Sequence, residues 1–199
     1  MSARPLVLGI AGSPREGGNS DRLLDAALQA AREAGAETRL LAARDVGMTP
    51  CTGCNSCSAT GECVLADGAD VYDAIDAADA IIVSSPVYFA GVPAGLKALF
   101  DRMQPYWART YELGLPRPPR RPGGAILVRG GGDPYGFAGA EATTRSVLAV
   151  LGIDVLEIVL VEGADAPADV EREPGALVRA RQLGAAVASA SSERTNGGS

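Results

Sequence analysis

Leu6-Val7-Leu8-Gly9-Ile10-Ala11-Gly12-Ser13-Pro14-Arg15-Glu16-Gly17-Gly18-Asn19-Ser20 is the stretch that decides how this chain folds. Leu6–Ala11 is a continuous apolar run, too short for a buried helix, and reads as a strand covered on both faces. A glycine-rich turn follows it. From Asn19 to Ala34 the apolar residues Leu24, Ala27, Leu28 and Ala31 fall on one helical face, and Gly35 stops the helix. A buried strand passing through a glycine turn into an amphipathic helix is the first half of a βαβ unit, and such units build parallel sheets.

The pattern continues outward from there. Thr38–Ala42, Ala80–Ser84, Ala125–Arg129 and Val155–Val161 read as further strands. Between them, Asp70–Ala77, a segment starting at Pro93 that buries Leu96, Leu99, Phe100 and Met103, Ala138–Leu151 and Leu177–Ala190 read as helices. The proline-rich stretch Leu115–Pro122 is a loop before strand four. Ser191–Ser199, polar and glycine-rich, is expected to form a disordered tail. The prediction is one α/β domain over residues 1–190, with a five-stranded, doubly wound parallel sheet. Such sheets bind ligands outside the carboxyl ends of their strands, at the switch point. The loops after strands one, three and four therefore matter most.

The loop after strand one, Gly12–Ser20, is an anion-binding turn in which glycine backbone amides and a helix N-terminus converge. It nearly spells a triphosphate-binding P-loop, but Gly18-Asn19 stands where that motif needs Gly-Lys. A single phosphate fits better, held by Ser13, Asn19, Ser20 and backbone amides with help from Arg15; a plain helix-capping turn would carry the same residues. The loop after strand three runs Ser84-Ser85-Pro86-Val87-Tyr88-Phe89-Ala90-Gly91-Val92-Pro93. Its adjacent aromatics suit a flat conjugated ring, or else cap the core. The loop after strand four, Gly130-Gly131-Gly132-Asp133-Pro134-Tyr135-Gly136, is read as a third loop lining the same ligand, with Gly131 as its candidate cofactor-binding residue.

All the cysteines lie together, as Cys51, Cys54, Cys57 and Cys63 in C-x2-C-x2-C-x5-C spacing. Two x2 gaps let one short loop aim three thiolates at a point, and the longer arm can bring in the fourth. A [4Fe–4S] cluster, a zinc ion and free thiols all suit four cysteines, although zinc sites usually pair two separated C-x2-C knuckles. The chain contains no histidine, which removes Ser-His-Asp and Cys-His catalysis and any histidine-bearing zinc centre. Chemistry is left to a bound cofactor, or to carboxylates, tyrosines and thiols.

The 199 residues are 47% hydrophobic, enough for one substantial core. A net charge of −6 argues against a sequence-independent grip on nucleic acid or an anionic membrane. No apolar stretch is long enough to span a bilayer and no secretory signal is visible, so a cytoplasmic, reducing setting is expected.

Taken together, these residues resemble the NAD(P)H-dependent FMN reductase group of flavodoxin-like proteins, and within it the iron–sulfur flavoproteins. The resemblance rests on Gly12-Ser13-Pro14-Arg15 with Gly18-Asn19-Ser20, on the cysteine run, and on Ser85-Pro86-Val87-Tyr88-Phe89 followed by Leu96-Lys97 and Phe100-Asp101-Arg102. It covers most of the first 102 residues. It implies a flavodoxin-like sheet of order 2-1-3-4-5. It implies FMN, with its phosphate on Ser13, Arg15, Asn19 and Ser20 and its ring along Pro86, Val87, Tyr88, Phe89 and Gly91. It further implies NAD(P)H as electron donor, a [4Fe–4S] cluster on the cysteines in the cluster-bearing branch, and a homodimer or homotetramer. The expected activity is an FMN-dependent NAD(P)H oxidoreductase passing electrons to a small molecule or a protein. The alternative is a non-enzymatic electron carrier.

Overall fold

The computed structural model describes residues 4–197, and within them the strand–helix alternation is realised. Five parallel strands, β1 (Leu6–Ala11), β2 (Glu37–Ala42), β3 (Ala80–Pro86), β4 (Arg121–Arg129) and β5 (Ile153–Glu162), form one sheet in the order β2-β1-β3-β4-β5. The helices are α1 (Asn19–Glu33), α2 (Ser56–Thr60), α3 (Ala69–Ala77), α4 (Ala94–Asp101), α5 (Gln104–Tyr111), α6 (Ala138–Val150) and α7 (Pro174–Gly197). This is the flavodoxin-like doubly wound architecture expected.

Side chains of β1 alternate between two cores. Val7 and Ala11 join Leu24, Ile82, Ile126 and Leu183 under α1 and α7. Leu8 and Ile10 join Ile75, Val83, Leu96 and Leu148 under the helices of the other face. Burial on both faces is why the strand reads as an unbroken apolar run rather than an alternating one. Among the described residues, no helix is long and apolar enough to cross a membrane.

Three expectations need correction. The polar tail expected from Ser191 is helical as far as Gly197, while Gly198 and Ser199 lie outside the described residues. Ser191 is buried and its hydroxyl donates to the Val187 carbonyl at 2.8 Å, and Ser192 does the same to Ala188 at 3.1 Å. Bonds of this kind give the serine hydroxyls partners within the helix itself. Strand β4 begins at Arg121, not Ala125, because Gly123 can lie against the Ile81 backbone, where a Cβ would sit 2.3 Å from its oxygen. Arg121 also donates to the carbonyls of Ile75, Ala78 and Leu151, tying the strand's start to the ends of α3 and α6. Finally, the cysteine segment is not wholly loop, since α2 lies inside it.

Candidate flavin site and cysteine loop

The turn after β1 is fixed from below by the core. The Gly12 N–H donates to the Ser84 carbonyl at 2.7 Å, and the Ser84 hydroxyl donates to the Ser20 carbonyl at 2.8 Å. Gly17 adopts a left-handed φ of 65°, as its glycine identity permits. The Ser13 hydroxyl closes on Arg15, donating to its carbonyl at 2.8 Å and accepting its N–H at 3.0 Å. Asp21 accepts the Gly17 N–H at 3.1 Å and pairs with Arg44 at 2.9 Å, while Arg44 also donates to the Ser13 carbonyl. Burial raises the Asp21 pKa, against the lowering effect of Arg44. No side chain caps α1 at Gly18, so its first N–H groups face the space above the turn.

That space is a small cavity of about 130 Å³ lined by Ser13, Arg15, Gly18, Asn19, Ser20, Pro86, Val87, Tyr88, Arg129, Gly130 and Asp165, among others. All four expected phosphate residues line it. Asn19 also braces the site from outside: its amide nitrogen donates to the Ala166 and Ala164 carbonyls at 2.9 and 3.3 Å, and its oxygen accepts the Val170 N–H at 3.5 Å. It fastens the segment after β5 to the turn.

The aromatic loop continues directly from β3. The Val87 N–H donates to the Val128 carbonyl at 2.7 Å, and Tyr88 and Gly91 exchange backbone hydrogen bonds at 2.9 and 3.0 Å. Between them Phe89 and Ala90 both have positive φ, 50° and 60°. This is the geometry of a type I′ turn, normally a place for Asn and Gly. Two ordinary residues held there store strain of the kind that clusters at functional sites. The strained turn presents Phe89 fully exposed. It rests on α6 at Gly139, where a Cβ would meet the Ala90 oxygen at 2.6 Å.

A second cavity of about 650 Å³ opens beside this turn, lined by Val87, Tyr88, Phe89, Arg129, Gly130, Gly131, Asp133, Pro134, Tyr135 and Asp165. Val87, Tyr88, Arg129, Gly130 and Asp165 line both cavities, so a small anion pocket adjoins a larger aromatic one. Pro86 sits on the anion side, Phe89 and Gly131 on the aromatic side. Gly91 lines neither and acts through its backbone pairing with Tyr88.

Sequence reasoning passed over Arg129 and Asp165. The Arg129 guanidinium lies over the Phe137 ring, donates to the Asp133 carbonyl at 3.1 Å and pairs with Glu162. Its Nε is buried with no partner. The available signal was position, since a basic residue closing a central parallel strand lies where such sheets bind ligands.

The cysteine segment follows β2. Cys51 and Cys54 are exposed, Cys57 and Cys63 half-buried, and all four line one cavity of about 460 Å³. Left-handed Gly53, Asn55 and Gly61 turn the chain around α2. Burial raises the Cys57 thiol, with the other three thiols pushing the same way. Cys54, within 3.5 Å of the Ser56 hydroxyl, is lowered by that hydrogen bond. Among the described residues no three His, Cys, Asp or Glu side chains already stand in metal-holding positions. Four thiols around one cavity nevertheless match the donor set of an iron–sulfur cluster. The thiol cavity and the aromatic cavity share no lining residue among those described.

Comparison with known proteins places the chain in a family. Residues 5–165 match the NADPH-dependent FMN reductase family. An iron–sulfur flavoprotein of Methanocaldococcus jannaschii is 46% identical over 100 residues, half of this chain and 52% of that protein. An iron–sulfur flavoprotein of Archaeoglobus fulgidus is 37% identical over 92% of this chain and 79% of its own. The fold also superposes on an NAD(P)H:quinone oxidoreductase from Methanothermobacter marburgensis, with a TM-score of 0.64 at 21% identity over 92% of this chain and 96% of that one. The chain belongs to the NADPH-dependent FMN reductase family.

Proposed function

We propose that the protein binds FMN across the paired cavities, takes hydride from NADH or NADPH, and passes electrons to a small-molecule or protein acceptor. The observation that carries this reading is the join between the cavities, because one ligand with an anionic end and a flat ring would occupy both. The free N–H groups at the start of α1 and the Arg15 side chain supply positive potential for a phosphate. Tyr88 and Phe89 supply a platform for the ring, and Arg129 is placed between the two. FMN bound there would supply the hydride acceptor and the two-electron to one-electron conversion. A chain without histidine then needs only to hold, orient and tune it.

The relatives' names extend the proposal to the cysteines. Cys51, Cys54, Cys57 and Cys63 would ligate a [4Fe–4S] cluster, adding a one-electron centre to the flavin's two-electron chemistry. Anaerobically purified protein is expected to be yellow-brown, to contain flavin, and to bleach rapidly on adding NADH or NADPH. A colourless preparation that stays colourless after incubation with FMN would refute the flavin reading. Bound flavin that NAD(P)H cannot reduce would favour the electron-carrier alternative.

A further inference from the structure

Arg102 has been given no role so far. It is 1% exposed, and it is the largest fully buried side chain among the described residues. A permanent cation in that position is unfavourable unless fixed partners meet its donors. Its Nε is buried without a partner, while both Nη groups find theirs at the two ends of the cysteine loop. Nη1 donates to the Thr49 carbonyl and to Oδ1 of Asp67, both at 2.7 Å, and Nη2 donates to the Leu65 carbonyl at 2.9 Å. Oδ2 of Asp67 in turn accepts the Thr49 N–H at 2.8 Å. Thr49 precedes Cys51 by two residues and Leu65 follows Cys63 by two, so both mouths of the loop close on one side chain.

The clamp is itself held. The Tyr72 hydroxyl donates to the Arg102 carbonyl at 2.7 Å, and the Arg102 N–H bonds the end of α4. Arg102 also lines the thiol cavity. Inside the loop the side-chain bonds are local, such as those of Thr60 to Ser56 and Glu62; Arg109 adds one from outside, to the Gly61 carbonyl at 2.7 Å. We infer that Arg102 is a positioning residue that closes the Cys51–Cys63 loop so that its four thiols face a single metal site. Four thiolates on a divalent ion or a cluster carry net negative charge, and of the Arg102–Asp67 ion pair it is the cationic member that lines the cavity. The natural occupant rests on the cluster reading given above. The clamp belongs to the loop, so its test uses a metal that needs no cluster assembly.

Reduced, metal-free protein carrying FMN is titrated anaerobically with Co²⁺ alone. Wild type is expected to bind one ion per chain with the charge-transfer absorption of a four-thiolate site. Arg102→Gln is expected to bind about tenfold or more weakly, with fewer thiolates per ion and unchanged flavin content. Arg102→Lys, with one ammonium in place of a fork, should fall between them. Asp67→Asn loosens the clamp from its exposed partner and serves if the Arg102 variants do not fold; it should shift affinity in the same direction by less. Equal Co²⁺ affinity and spectra in wild type, Asp67→Asn and any folded Arg102 variant would overturn the inference, as would a wild type showing no thiolate-bound Co²⁺. Iron and sulfide assayed on anaerobically isolated protein judge the cluster separately: an intact Co²⁺ site without either rejects the cluster, while weaker Co²⁺ binding by the variants upholds the clamp.

Discussion

The anion turn and the cysteine loop hang from neighbouring strands, β1 and β2, yet they are constructed in opposite ways. The turn is short, and Ser13, Ser20 and Asp21 within or beside it are buried. The cysteine loop is long and exposes two of its four cysteines. Backbone N–H groups cannot be re-aimed as side chains can, so the core beneath must fix them in advance. A site that works through thiols can stay open until an ion draws them together, and needs only its ends held. The turn's geometry should therefore depend on core packing, and the loop's on a few polar bonds.

The sharpest break of that contrast lies at Leu96. Fully buried on α4, it fills the space beside Gly12, where a Cβ would lie 2.5 Å from its Cδ2 and 3.1 Å from the Ser84 oxygen. Leu96→Ala should cost about 2–5 kcal/mol in urea unfolding. Gly12→Ala should cost about 1–3 kcal/mol by overpacking and should weaken FMN binding. In the double variant the new methyl enters the vacated space, so the combined loss should fall short of the sum. Strict additivity would show that the turn does not lean on α4. Neither change should alter metal binding by the thiols.

How much of this was legible in the sequence follows the same division. The strands and the loops at their carboxyl ends follow from apolar periodicity and glycine placement, which are local signals, whereas the strand order came only with the family resemblance. The anion turn was readable because Gly12–Ser20 carries its chemistry in consecutive residues, and the cysteines were readable for the same reason. Arg129 and Asp165 were not singled out, and Arg102 entered only as part of the family resemblance with no role, because their roles arise from contacts across the fold. Arg102 lies 53 positions from Thr49 and 35 from Asp67. The helical extension beyond Ala190 was hidden because serine hydroxyls bond backward along a helix without leaving a periodic apolar trace.

The two regions should also respond oppositely to pH, since each rests on one aspartate. Hydrogen bonds from Thr49 and Arg102 lower Asp67 from 3.8 to about 2. Its folded pKa lies below the unfolded value, so its contribution is complete above about pH 5 and disappears as pH falls from about 4 to 2. Burial raises Asp21 above 3.8, so its contribution becomes less favourable as pH rises through that higher range. Denaturation measured against pH should show the gap between wild type and Asp67→Asn closing on acidification. Relative to Asp21→Asn, wild type should instead lose ground as pH rises from 3.8. Parallel curves for either pair would remove that aspartate from the account.

The smallest effect on stability should accompany the largest effect on metal. Cys51 and Cys54 are exposed and make no contact with either core, so replacing each with serine leaves no cavity and strands no buried partner. In metal-free protein, Cys51→Ser and Cys54→Ser should each shift unfolding free energy by less than about 0.5 kcal/mol. The same changes should abolish iron incorporation, because serine is a poor replacement for a cluster thiolate, while leaving flavin content unchanged. A loss of stability as large as that of Leu96→Ala would mean that the loop is part of the core in solution. Thiols that can be removed without unfolding the chain are free to be positioned by their ligand, and Arg102 and Asp67 need then do no more than hold the ends.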